Sequence, residues 1–296
     1  MTGTIAPGER ASELKAAGRR RQRTTSPLLV IGLGLVGFVV VVGLAAPLIA
    51  THDPTEISGN PLVEPSAEHW LGTDTPGRDI FAQLVYGARA SLIVAAAGSS
   101  LAMVGAILLG VVPTLLGGLA DTAANRFVVF LLAVPGVPLL ILIGSLALDQ
   151  RLAVILVIGF LGAAPNARIL RGQALTLRER GFVAAARGFG ASPSYVLRRH
   201  IVPGLAPILV VGLVTWASTA VGLEAGLAFL GLGDPSSISW GLMMNRALSV
   251  QGIYFSPMWT WWVLPPGLAI TVTLLGFTFP GVALEPTFNP RARRTA

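Results

Sequence analysis

Charge-free apolar runs recur along this chain of 296 residues, and short polar stretches separate them. The first run, LLVIGLGLVGFVVVVGLAAPLIA at 28–50, has no ionisable side chain. It exceeds the roughly 20 residues a helix needs to cross a bilayer core. A cleaved signal peptide has a shorter apolar core, and 27 mostly polar residues precede this run, so it reads as a retained first helix. Runs at 90–116, 127–148, 152–167, 205–230 and 263–284 predict five further spans, the 152–167 run being the shortest. The expectation is an all-α membrane protein with six transmembrane helices. Its parts would be a basic cytoplasmic tail (1–27), the first helix (28–50), an extracytoplasmic loop (51–89), a five-helix core (90–284) and a second cytoplasmic tail (285–296).

Composition supports that class: 53% of residues are hydrophobic and only 12% charged, against about 25% charged in soluble domains. The basic residues also orient the chain. Arg10, Lys15, Arg19, Arg20, Arg21 and Arg23 precede the first span. With six spans, Arg126, seven arginines of the 168–204 loop, and Arg291, Arg293 and Arg294 fall on that same face. Only Arg78, Arg89, Arg151 and Arg246 fall on the other. Both termini and the 168–204 loop are therefore expected in the cytoplasm. The opposite face holds most of the acids, and Trp259, Trp261 and Trp262 there fit an interfacial belt. The basic first tail reads as a topology signal with no nucleic-acid partner; binding to nucleic acid or anionic lipid is the alternative.

Several chemistries are excluded. The sole lysine, Lys15, lies in SELKAAG, which is not the G-x-x-x-x-G-K-[ST] loop that holds nucleotide phosphates. Any ATP dependence must then come from another chain. No cysteine is present, which removes disulfides, thiol catalysis and thiolate metal sites. His52, His69 and His200 are scattered without metal-ligand spacing, so neither a metal site nor a catalytic constellation is expected.

One cytoplasmic segment has its own punctuation. In GFVAAARGFGASPSYVLRRHIVPG (181–204), FVAAARGF favours helix until Gly190, which can turn the chain in a left-handed conformation. Ser192-Pro193 reads as an N-cap followed by proline at the first helical position. A second helix through Tyr195, Val196 and Arg199 would end before Pro203 opens the next span. Ala184, Ala185 and Ala186 permit close approach of another surface, with Phe182, Phe189 and Tyr195 as larger knobs. That composition suits a groove on a partner protein; a helix packed on this chain's own cytoplasmic ends is the alternative.

The segment resembles the EAA loop of binding-protein-dependent ABC importer permeases. Val183, Ala185, Ala186, Arg187, Gly190, Ala191, Ser192, Arg199, His200, Ile201 and Pro203 match its pattern in register, while Gly181, Phe182 and Ala184 depart from it. Three further blocks, LGTDTPGRDIFAQLVYGARASL (71–92), EAGLAFLGLGDPSSISWGLMM (224–244) and WWVLPPGLAI (261–270), are similar to the C-type subunit of dipeptide/oligopeptide permeases, the OppC/DppC group. The approach ARILRGQALTLRERGFVAAAR (167–187) is similar too. The resemblance spans 28–290 and implies a type I ABC importer transmembrane domain in the bacterial cytoplasmic membrane. It implies a B-type second permease subunit, two ATPase subunits that bind ATP and Mg, and an extracytoplasmic peptide-binding protein. It further implies that Phe182, Ala185, Ala186, Arg187, Gly190, Ala191, Ser192 and Pro193 form the coupling helix seated on an ATPase.

Other residues stay open between roles. Glu224, costly inside a span, either lines a pathway or is a paired structural carboxylate. Asp74, Arg78 and Asp79 either cap the outer face for docking or order the 51–89 loop. Pro113, Pro135, Gly136, Pro138, Pro165, Pro265 and Pro266 would kink or closely pack spans. The function expected is import of oligopeptides or dipeptides. Nickel or another small solute on the same scaffold is the alternative; an ATP-independent secondary transporter would need matched halves that this chain lacks.

Overall fold

The computed structural model describes residues 26–146, 150–232, 234 and 236–288. The expected tail residues before Ser26 and after Phe288 lie outside them. The helices are α1 (Pro27–Ile49), α2 (Ile80–Ala106), α3 (Val112–Leu116), α4 (Gly118–Ala133), α5 (Gly136–Leu146), α6 (Gln150–Arg178), α7 (Gly181–Gly188), α8 (Pro193–Val196), α9 (Val202–Phe229), α10 (Trp240–Leu248), α11 (Met258–Trp262) and α12 (Leu264–Phe288). Among the described residues, five helices or helix runs are long and apolar enough to cross a membrane; α4 and α5, bent by 82°, make a sixth span if taken as one. The bend falls at Val134, which is extended (φ −76°, ψ 126°) because it precedes Pro135.

Several spans are longer than their apolar runs. The second extends from Ile80 rather than 90, and reaches Leu116 through a π-turn at Ile107–Val111. Asp79 starts it by accepting the Ala82 N–H at 2.6 Å. The fourth ends at Arg178 rather than 167. A second π-turn, Leu197–Ile201, joins α8 to α9, so the predicted separate helix is the beginning of the fifth span, Pro193–Phe229. Each π-turn ends two residues before a proline, Pro113 or Pro203. Proline cannot donate to the i−4 carbonyl and its ring crowds that carbonyl; a local i→i+5 turn widens the helix where the crowding falls.

The α2–α6 interface is built from small residues. A Cβ on Gly110 would sit 2.4 Å from the Ala167 carbonyl oxygen, and one on Gly105 would sit 2.7 Å from the Ala163 Cβ. Such surfaces let helix backbones approach closely in lipid. Helix α1 lies at the periphery, with Gly32 against Pro280 and Gly43 near Ala88. Within α1, Pro47 leaves the Gly43 carbonyl without its helical donor, and Arg89 Nε of α2 donates to it at 2.7 Å.

The outer end is closed by a cluster containing Ile80, Trp240, Met243, Ile253, Trp261 and Trp262. Trp261 and Trp262 are stacked with centroids 6.4 Å apart and are 7% and 1% exposed. They belong to this core rather than to the expected interfacial belt; Trp259, 40% exposed, keeps a surface position. At the other end, Val111, Leu115, Leu170, Ala174, Val183, Val196, Ile201 and Leu205 share one cluster. That cluster fastens the 181–204 segment to the spans.

Candidate functional site

The 181–204 segment is suspended between two long rods. Only Glu179 and Arg180 separate α6 from α7, and α8 continues into α9. Helix α7 closes with a Schellman motif: the Ala191 N–H donates to the Ala186 carbonyl at 3.0 Å and the Gly190 N–H to that of Arg187 at 2.9 Å. Gly190 holds φ +82°, the conformation this closure needs. Ser192 Oγ then accepts the Tyr195 N–H at 3.3 Å and Pro193 starts α8.

Burial divides the segment's side chains into two groups. Val183 and Val196 are fully buried anchors. Ala185, Gly190, Ser192 and Pro193 are exposed, while Ala186, Arg187 and Ala191 are half-buried. Phe182, Phe189 and Tyr195 are exposed, Phe189 by 93%. The Phe182 and Tyr195 rings lie 5.7 Å and 5.8 Å from the His200 ring. Ser194, Tyr195, Arg198 and Arg199 line an adjoining recess of about 380 Å³. Exposed aromatics thus sit beside a basic recess at the start of the fifth span, a composition of the kind found at protein–protein contacts.

A brace on the same side lies outside the residues singled out from sequence. Arg171 of α6 donates to both Asp121 carboxylate oxygens, at 3.0 Å and 2.8 Å, and Arg178 donates to the Thr114 carbonyl at 2.7 Å. These bonds join α6, which leads into the surface segment, to α3 and to the start of the bent span.

A cavity of about 920 Å³ lies among α2, α6, α9 and α12. Polar groups from three of those helices face it, among them Asn166, Gln173, Thr215, Ser218, Thr219 and Thr278. Ser218 and Thr278 are 3.1 Å apart across the α9–α12 contact. These residues were also missed; the available signal was Thr215, Ser218 and Thr219 at helical spacing inside an apolar span.

Glu224 is not among the residues lining that cavity. It is buried and accepts the Ser91 hydroxyl at 3.2 Å, beside a separate void of about 30 Å³ lined also by Arg151, Asp234 and Ser239. This geometry ties α2 to α9. Asp74 and Asp79 also turn inward, 1% and 2% exposed. Asp74 accepts the Arg78 N–H at 2.7 Å and Gln83 Nε2 at 3.0 Å; Asp79 accepts His69 Nδ1 at 2.8 Å as well as its cap bond. Both carboxylates thus spend their hydrogen bonds on the 51–89 loop and the first turns of α2. Only Arg78 of the three is partly open.

Residues 102–294 match the family described as binding-protein-dependent transport system inner membrane component. A peptide permease protein of Brucella suis biovar 1 is 36% identical over 296 residues, covering 95% of this chain and 97% of that protein. The oligopeptide transport system permease protein OppC of Bacillus subtilis is 31% identical, covering 91% and 88%. The dipeptide transport system permease protein DppC of Alkalihalophilus pseudofirmus is 33% identical, covering 92% and 89%.

Proposed function

The chain belongs to the family of binding-protein-dependent transport system inner membrane components, and we propose that it is one of two permease subunits of an ATP-driven peptide importer. It is a multi-pass cytoplasmic-membrane protein with a type I ABC importer transmembrane domain. The observation that carries the functional reading is the 181–204 segment. A short helix with Phe182 exposed on it and Phe189 exposed at its C-cap is fastened through Val183 and Val196 between the ends of α6 and the Pro193–Phe229 span. A push on that helix is delivered to both spans. A partner ATPase that closes on ATP would use them as levers, with ATP and Mg held on its own chain. The 920 Å³ cavity, bordered by the same two spans, is the stretch of pathway that such levers would open and close.

Peptide is the proposed cargo because the relatives named above are peptide, oligopeptide and dipeptide permeases. The expected assembly includes a second permease, two ATPase subunits and an extracytoplasmic binding protein. The test is uptake into proteoliposomes holding the whole assembly. Peptide should accumulate only with ATP and the ATPase subunits, and a Val183→Asp chain should lose uptake as its anchor is expelled from the core. Accumulation without the ATPase subunits would overturn the ATP-driven reading; uptake of Ni²⁺ in preference to peptide would overturn the cargo.

A further inference from the structure

Two of the chain's three histidines, both in the 51–89 loop, meet at the outer face. His69 Nδ1 lies 2.8 Å and His52 Nδ1 3.7 Å from the same atom, Asp79 Oδ2. The imidazole centroids are 4.7 Å apart, and the three ligand atoms all lie within 4.8 Å of one another. We propose that His52, His69 and Asp79 form a binding site for a divalent transition metal of the zinc class.

The donor set suits that chemistry. Two imidazoles and one carboxylate match Zn²⁺ or a neighbouring first-row ion, whereas Mg²⁺ and Ca²⁺ take oxygen ligands. Zinc bonds of roughly 2.0–2.2 Å in tetrahedral array place neighbouring ligand atoms about 3.4 Å apart. The distances to Asp79 bracket that value, so only small shifts are needed at Asp79, and His52 closes the remainder. His69 and Asp79 are held firmly. Asp79 Oδ1 is fixed by the Ala82 N–H, leaving Oδ2 to the histidines, and Gly59 packs so closely that a Cβ there would lie 2.8 Å from His69 Nε2. His52 is the adaptable ligand, its side chain 24% exposed, and it gives the ion a way in from solvent. Thr51 Oγ1 sits 3.0 Å from His52 Nδ1 and competes for the lone pair the metal would use.

A structural carboxylate needs only one partner at Oδ2, and His69 supplies it. The second ring, brought from just beyond α1, is what the metal explains. The bound ion would join the segment after α1 to the N-cap of α2. None of the three residues lines the 920 Å³ cavity, so the site is separate from the proposed cargo path.

The experiment is calorimetric titration of Zn²⁺ into the tag-free chain in nanodiscs, with Co²⁺ absorption as a second readout. One Zn²⁺ per chain is expected, with affinity lowered at least about 100-fold in His52→Ala, beyond the loss typical of outer-shell changes. Thr51→Val should bind more tightly by removing the competitor. His52 is chosen because it is partly exposed and its loss leaves the His69–Asp79 bond, and so the folded cap, in place. Absence of stoichiometric binding, or a His52→Ala chain that binds as the parent does, would reduce the cluster to a hydrogen-bonded structural pair and overturn the proposal. Neither result bears on peptide uptake, so this site and the transport reading fail separately.

Discussion

Gly190 gives the sharpest test of the coupling segment, because its two possible costs can be separated. A Cβ at this position meets nothing within 4 Å, so replacement brings no clash. The backbone at φ +82° remains, and an L-residue held there costs roughly 1–2 kcal/mol. About 1.4 kcal/mol is a factor of ten in an equilibrium constant, so Gly190→Val should lower the closed-to-open ratio of the Schellman turn about tenfold. Gly190→Asn should lower it far less, since Asn visits this region readily. Gly188 is the internal control: it lies in α7, a Cβ there also meets open space, and Gly188→Ala should strengthen the helix by about 1 kcal/mol. The assay is peptide transported per ATP hydrolysed by the reconstituted complex, with co-purification of the ATPase subunits measured alongside. The expected order is Gly188→Ala and parent alike, Asn slightly reduced, and Val reduced several-fold or more. A silent Val variant, Asn as damaging as Val, or a damaging Gly188→Ala would refute the claim that this backbone turn sets the coupling geometry.

Three further outcomes follow from the packing and the cavity. Gly110→Val drives side-chain atoms into the Ala167 backbone, so the π-turn after α2 must move away from α6; a loss of about 1–3 kcal/mol is expected, and an unchanged melting temperature in nanodiscs would contradict that contact. Arg171→Ala should cost about 1 kcal/mol, a modest figure because both partners are partly exposed, at 29% and 21%. A double-mutant cycle with Asp121→Ala showing no coupling energy would sink the brace. Leucine at Gln173 and Thr219 removes polar groups from the cavity wall and should cut peptide uptake several-fold while assembly persists; undiminished uptake would place the route elsewhere.

The spans were legible in the sequence because lipid demands long uncharged runs, such as 28–50 and 90–116. Their ends were not. Arg89 looked like a boundary, yet it lies inside the second span, where its guanidinium serves the carbonyl that Pro47 frees in α1. Arg171 and Arg178 likewise looked like loop residues but extend the fourth span, paired with Asp121 and the Thr114 carbonyl. In each case a partner distant in sequence makes the charge compatible with helix. The punctuation at Gly190 and Ser192-Pro193 was legible because caps and turns are local chemistry. The meeting of His52 with His69, and the burial of Trp261 and Trp262, were not, because the loop's tertiary closure decides both.

The π-turn at Leu197–Ile201 has one more effect. It inserts about one residue into the winding of the helix and so resets its angular phase by roughly 100°. Val196, before it, points into the cytoplasmic core, and Thr215, Ser218 and Thr219, after it, face the cavity. Deleting a single residue within 197–201 should leave the span helical yet rotate the hydroxyl stripe off the cavity wall. Labelling of Thr219→Cys by a small thiol reagent would register that rotation; identical labelling in both chains would mean that the two faces were never offset.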